Sequence, residues 1–461
     1  MLLVSLEIAR DIFYILLHYF GYASHYYMNL DNIFFKSFVL KLCFILILLS
    51  PWLILAQDSL MVQSDTLCPE RDMSDVIRKA FKKPPKVKSA NAPSLMLLPI
   101  IGSNPAIGFM VGVGGQYAFK MSDNAKYSLI SGSVQITTKK QFIFLLKNNI
   151  YTKNNRIFLS GDWRYMIYSQ STYGLGTTSP EGGIIDYQFG LAGTETNSDS
   201  LTQPMTYNFG RLHQSISFEI VDDIYLGLGY QYDSYFKIND QKLQLNPPDS
   251  LITSHYAYNT YYGFNTEKYY NSALSVKFTI DKRDNMIQAY KGFYLSFNWV
   301  GGFSFTGNDR KSNQYQLEWR SYHGLSKRNP SHLIAFWFMG NFSEEGTLPY
   351  MILPATAYDQ SGRSARGYTQ GRFRGNNMMY GEVEYRFPIS QCGGLFGGVV
   401  FANATTANNP GLSLKLFENV KPSFGLGLRV RLDKDTRTNL AVDMGFGHQS
   451  MGFYLAVSET F

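Results

Sequence analysis

Along residues 94–461 one pattern recurs: segments of roughly ten residues alternate apolar and polar positions and are separated by turns. In KGFYLSFNW (291–299), Phe293, Leu295, Phe297 and Trp299 share one face, with Tyr294, Ser296 and Asn298 on the other. In SFGLGLRVRL (423–432), Phe424, Leu426, Leu428, Val430 and Leu432 oppose Gly425, Gly427, Arg429 and Arg431. In RTNLAVDMGFG (437–447), Leu440, Val442, Met444 and Phe446 oppose Asn439, Ala441, Asp443 and Gly445. A period of two sustained over so many segments predicts half-buried strands. The bulky rows are apolar and the opposite rows carry charge, the reverse of a soluble sandwich. The pattern predicts an all-β fold, a transmembrane antiparallel β-barrel with a lipid-facing apolar band and a polar lumen.

About sixteen strands are expected, near 94–101, 107–120, 125–138, 140–152, 155–168, 205–219, 222–236, 269–281, 287–301, 312–325, 331–342, 375–388, 394–403, 421–432, 437–447 and 450–461. Long connections (169–204, 237–268, 302–311, 343–374 and 404–420) fall on one side and short turns on the other, as outer-membrane barrels arrange them. An even count puts both ends in the periplasm. No sheet edge can face hydrocarbon unpaired, so the first strand must meet the last. Pro99 in the first strand lacks an N–H, which predicts that this seam is the weakest pairing.

Composition agrees with strands rather than helices. The 461 residues are 45% hydrophobic, 16% aromatic and only 17% charged, and past the N-terminal region no apolar run reaches the length of a spanning helix. The formal charge of +7 is spread along the chain, which argues against nucleic acid as a partner. Residues 42–55 (LCFILILLSPWLIL) follow Lys36 and Lys41 and precede Ala56, the order of a secretory signal. Residues 1–56 therefore read as an upstream extension and signal peptide, with Met28 the natural start. Residues 57–93 read as a periplasmic leader in which 75–81 form a short helix, with Val76, Ile77, Ala80 and Phe81 on one face. It is either a linker with one docked turn or a binding arm, and it is short for a further folded domain. Cys68 in the leader and Cys392 in a short turn both belong to the periplasmic side, where a disulfide between them would tie the leader under the barrel.

The stretch SGRSARGYTQGRFRG (361–375) holds four arginines and four glycines and no acid. It precedes the strand GNNMMYGEVEYRFPI (375–389). Ala365-Arg366-Gly367-Tyr368 with that strand, DKRDNMIQAYKGFYLS (281–296), and the closing GFGHQSMGFYLAVSETF (445–461) together resemble the BamA/TamA-like superfamily of outer-membrane assembly factors, the bacterial surface antigen barrel. The resemblance covers about residues 94–461. It implies that the sixth outer loop folds into the lumen and that Arg366, beside Gly367 and Tyr368, pairs there with acids of the inner wall.

By strand parity the candidate partners of Arg366 are Glu382, Glu384 and Asp443. A guanidinium fork meets a carboxylate bidentately, which fixes orientation. Where the family carries an aspartate, this chain has Asn403, which offers Arg366 an acceptor without charge. Arg363, Arg372 and Arg374 read as loop or rim charges that could meet lipid phosphates. Asp281, Arg283, Asp284 and Gly292 form the family's periplasmic turn motif, expected to be structural, and Phe461 is its terminal strand signal.

The resemblance also implies a role in inserting or translocating proteins or lipids, with outer-membrane lipid and lipopolysaccharide around the barrel. Client proteins, or a periplasmic partner that supplies the missing polypeptide-transport-associated domains, would complete it. A structural or binding barrel (a surface antigen or partner subunit), or a gated passive pore, is the alternative. No enzyme is expected, since no nucleophile elbow or zinc-protease motif occurs and His213, His255, His323, His332 and His448 are scattered singly. No cofactor or metal is expected.

Overall fold

The computed structural model describes residues 71–84, 92–104, 108–177, 202–246, 252–390 and 394–461. The expected signal, Cys68 and Cys392 lie outside the described residues. A short helix, α1 (Met73–Ala80), precedes sixteen strands. In chain order these are β1 (Ser94–Asn104), β2 (Gly108–Phe119), β3 (Ser128–Thr137), β4 (Phe142–Tyr151), β5 (Ile157–Thr172), β6 (Gln203–Val221), β7 (Ile224–Asp240) and β8 (Tyr269–Asp281). They continue as β9 (Gly292–Gly302), β10 (Ser312–Gly324), β11 (Leu333–Ser343), β12 (Asn377–Pro388), β13 (Phe396–Ala407), β14 (Lys421–Asp433), β15 (Thr438–Gly447) and β16 (Ser450–Val457). A second helix, α2 (Ser254–Tyr261), lies in the connection between β7 and β8. The strands form one sheet in chain order, each antiparallel to the next.

The alternation of the sequence becomes an inside and an outside. Leu95, Leu97, Leu226, Leu228, Phe424, Leu426, Met451 and Phe453 are exposed on the outer wall. Asp162, Arg211, Asp233, Glu382, Glu384, Arg386, Arg429 and Asp443 are buried or nearly so inside. In water that distribution would forfeit the hydrophobic contribution of every outer row, whereas in lipid those rows are solvated by hydrocarbon. The polar inner groups satisfy one another, as burial requires.

The two ends of the sheet approach each other at the periplasmic rim. Gln116 on β2 donates to the Thr438 hydroxyl on β15 at 3.1 Å and accepts from the Ser458 hydroxyl at 2.8 Å. The Ser94 hydroxyl donates to Asp433 at 2.5 Å. These bridges curl the sheet into a barrel. Among the described residues no ladder joins β1 to β16, so the seam expected as a weak strand pairing is carried by side chains. Two features explain it: Pro99 cannot donate, and β16 has only eight residues.

Several strand ends differ from the sequence expectation: β5, β7 and β13 run on to Thr172, Asp240 and Ala407, and two further differences shape the inner wall. β9 starts at Gly292 rather than 287, because Asp284 Oδ1 accepts from the backbone N–H of Tyr290 at 2.9 Å and holds the preceding residues in a turn. β16 stops at Val457, since Ser458 adopts a φ of 76° and directs the last residues inward. Phe461 therefore leaves the final strand and lies inside the barrel, against Trp337 and Tyr322 at ring-centroid distances of 5.2 and 6.2 Å.

Candidate functional site

The connection between β11 and β12 (344–376) crosses the lumen from one wall to the other. One limb is held by β4–β6: Lys147 Nζ donates to the Gln360 carbonyl, and Arg164 Nη2 to that of Asp359 at 3.1 Å. Behind this limb lies a polar cavity of about 240 Å³ whose lining includes Asp162, Arg211, Asp233 and Tyr358. The other limb reaches β12–β16, and its tip carries Arg366.

Arg366 is buried with its guanidinium among three carboxylates. Nη2 donates to Glu382 at 2.5 Å and to Glu384, and Nη1 donates to Asp443 at 2.7 Å. The positions follow from register. Glu382 and Glu384 are two apart on β12 and share a face, while Asp443 sits on β15 opposite Gly427, whose missing side chain leaves the carboxylate room. A Cβ at Gly427 would lie 1.9 Å from Asp443 Oδ1. Phe401 on β13 lies under the guanidinium, 3.7 Å from ring centroid to Cζ.

Asn403 plays a different part from the one expected. Its amide donates to the main-chain carbonyl of Arg366 at 3.1 Å and to Glu382 at 3.2 Å, while its oxygen accepts from Ser423 at 2.7 Å. An amide serves because the group it faces is a carbonyl, which needs a donor.

Gly367 and Tyr368 complete the contact. Gly367 has a φ of 109° and its N–H donates to the Tyr454 hydroxyl of β16 at 2.9 Å. The Tyr454 hydroxyl donates in turn to the Tyr368 carbonyl at 3.3 Å. The Tyr368 hydroxyl donates to the Pro422 carbonyl at 2.7 Å and accepts from the His448 N–H at 3.1 Å. The tip thus touches all five of the last strands.

Three residues outside the expected set turn this contact into a network. Arg386 Nε donates to Glu384 at 2.7 Å, and its Nη2 to the backbone carbonyl of Phe461 at 3.0 Å. Arg429 Nη1 donates to Asp443 at 2.5 Å and its Nε to Glu459 at 2.7 Å. Two chains therefore run from Arg366 to the C-terminal residues, one of ion pairs through Glu384 and Arg386 that ends in a hydrogen bond to the Phe461 carbonyl, the other of ion pairs through Asp443, Arg429 and Glu459. The alternation placed Arg429 on the inner face, and Arg386 shares the parity of Glu382 and Glu384, which was the available signal. The inward turn of the last residues had none.

The other loop arginines are not rim charges. Arg374 is buried, and its Nη1 donates to the carbonyls of Tyr350, Met351 and Leu353 at 3.1, 3.0 and 3.1 Å, closing the loop on itself. Arg372 lies over the Tyr173 ring at 4.7 Å, and Arg363 approaches Asp443 at 3.8 Å. The reason is the crossing itself: a loop laid through the lumen turns these arginines toward the inner walls and toward itself.

At the periplasmic turn, Asp281 accepts a fork from Arg283 at 2.8 Å on both oxygens and a hydrogen bond from the Tyr151 hydroxyl at 2.8 Å. Asp284 pairs with Arg437 at 2.6 Å. Gly292 has a φ of 94°, and a Cβ there would lie 2.0 Å from the Lys282 carbonyl oxygen. Gly292→Ala is expected to destabilise the barrel by about 1–3 kcal/mol through forced backbone strain, read as a lower urea midpoint in lipid vesicles.

Sixteen antiparallel strands, an inverted polarity and a loop pinned across the lumen define a plugged outer-membrane β-barrel. Residues 149–434 match the Omp85 superfamily domain, and the chain belongs to that superfamily. No curated protein matches the chain in sequence. Among solved structures it is similar to BamA from Haemophilus ducreyi lacking POTRA domains 1–3, with 14% identity and a TM-score of 0.47, over 80% of this chain and 70% of that one. It is also similar to CdiB from Acinetobacter baumannii (11%, TM-score 0.44, 79% of this chain and 59% of that one). CdiB from Escherichia coli gives 10% and a TM-score of 0.43, over 80% and 60%. The chain thus spans about three-fifths of the length of the CdiB structures.

Proposed function

We propose that this barrel assists the insertion or translocation of proteins or lipids at the outer membrane through its first-to-last strand seam. One observation carries the reading. The loop tip binds β12, β13, β14, β15 and β16 from inside, and this support ends at the boundary with β1. Everything on one side of the seam is braced, while the seam itself rests on side-chain bridges near one rim. Separating β1 from β16 is therefore the least costly way to open this wall, and it exposes strand edges that a client strand could pair with. Membership of the Omp85 superfamily supports a protein client or a partner subunit.

The test is depletion of the protein followed by quantification of the outer-membrane proteome. Loss of many unrelated barrels is the expected result for a general assembly role, and loss of one or two proteins for a dedicated translocator. An unchanged proteome and lipid composition would refute both. A gated pore is the second reading, favoured by the polar cavity behind the loop. It predicts steady conductance that rises on deletion of residues 361–375.

A further inference from the structure

Helix α1 is docked the wrong way round for a helix in water. Its start is firm: Asp72 caps it, accepting from the Asp75 N–H at 2.9 Å, while the Asp75 side chain accepts from the Asp72 N–H at 3.3 Å. These same two acids fasten it to the turn after β14. Lys434 Nζ meets Asp75 at 2.8 Å, and the Lys434 N–H donates to Asp72 at 3.2 Å. The polar face is thus the attached one.

At 3.6 residues per turn, Ile77, Ala80 and Phe81 gather toward the side away from the acids, with Val76 at the near edge of that stripe. Val76 is 40% exposed, Ile77 50% and Phe81 71%. An ordinary amphipathic helix buries this face against its domain and leaves its charges in solvent.

Two observations identify what covers it. The helix is flanked and followed by cations, Arg78, Lys79, Lys82 and Lys83, with Lys86 and Lys88 further on in sequence. It is also fixed at the periplasmic end of β14, where the lipid-facing row Phe424, Leu426, Leu428, Val430 and Leu432 runs out. A short helix with an apolar stripe, basic flanks and a position at the hydrocarbon border has the features of an interfacial membrane helix.

We infer that α1 is a lipid-surface anchor, inserting Val76, Ile77 and Phe81 into the periplasmic leaflet while its cations engage anionic phospholipid headgroups. The anchor would hold α1 flat against the membrane ahead of β1, which starts at Ser94 beside Asp433. The inference needs only the barrel and its membrane, so it stands apart from the insertion reading.

The test is a nitroxide at Phe81→Cys in the full chain, with Cys43, Cys68 and Cys392 replaced by Ser, reconstituted in nanodiscs containing anionic phospholipid. The expected label is several-fold more accessible to oxygen, relative to a water-soluble nickel reagent, than a reference label at Lys153→Cys in an exposed turn. Changing Arg78, Lys79, Lys82 and Lys83 together to Glu is expected to move the Phe81 label into water. Lys79, Phe81, Lys82 and Lys83 are exposed and Arg78 is half-buried, and all five lie outside the sixteen strands, so the barrel folds in each variant. A Phe81 label as accessible to nickel as the reference would overturn the inference, and would leave a protein partner as the occupant. A label that stays in lipid after the four charge reversals would overturn its headgroup half.

Discussion

Replacing Arg366 by methionine is expected to release the β11–β12 connection from the lumen and to cost about 3–5 kcal/mol of stability, the scale of removing one partner from a buried ion pair. The loss is large because three carboxylates converge on one guanidinium. Two of them keep another cation: Glu384 has Arg386, and Asp443 has Arg429. Glu382 has no other arginine or lysine in ion-pair reach among the described residues and retains only the Tyr380 hydroxyl at 2.6 Å and the Asn403 amide. Arg366→Lys keeps the charge but replaces a fork with a single ammonium, so it should fall between wild type and methionine. Three readouts follow the loop: trypsin added outside sealed vesicles should cut after Arg363 and Arg372, the urea midpoint should drop, and single-channel conductance should rise. A methionine variant that stays resistant, with an unchanged midpoint, would mean that the ion pairs do not hold the loop.

The sequence carried the barrel because lipid makes alternation hard to hide. Every outer position must be apolar and every inner charge must face the lumen, so strands such as 423–432 and 437–447 could be placed to within a residue or two. Parity then put Arg429, Glu382, Glu384 and Asp443 on the inside before any contact was known. What parity cannot supply is the path of the loop, since a segment without a period has no face. Arg374 looked like a free charge for that reason, although it binds three carbonyls of its own loop. The C-terminal residues were misplaced by a related limit. Alternation continues through MGFYLAV, and nothing in SETF announces that the chain turns inward at Ser458.

That inward turn changes how the seam is understood. Glu459 and Phe461 are bonded to the same network as the loop tip, so the last strand is held from inside at its middle and just beyond its C-terminal end. Tyr454 ties its middle to Gly367 and Tyr368, and Arg386 and Arg429 hold the residues that follow it. β1 has no such attachment to the loop tip among the described residues. The seam is therefore asymmetric: β16 is braced by the loop tip, whereas β1 is held by its ladder to β2 and by the Ser94 bridge.

The second large effect is expected from Gly445→Val, which leaves every charged residue in place. Gly445 on β15 lies between Gly425 on β14 and Gly452 on β16, so three glycines stand side by side across the inner wall. The loop tip rests on this bare strip. A Cβ at Gly445 would lie 2.7 Å from the Gly367 nitrogen and 3.0 Å from the Arg366 carbonyl carbon, both main-chain atoms that have no rotamer to turn aside. Since nine in ten real Cβ contacts are longer, the tip must lift, and Arg366 loses the geometry that joins it to three carboxylates. Overpacking of this kind costs about 1–3 kcal/mol, and the displaced ion pairs add to it. Alanine should already displace the tip, and valine should displace it further. Gly381→Ala on β12 is the control, because nothing lies within 4 Å of its Cβ. The expected result is that Gly445→Val matches Arg366→Met in trypsin sensitivity and conductance while Gly381→Ala behaves as wild type. If Gly445→Val kept the loop protected, the strip would not be the seat of the tip, and the tip would be held by charge alone.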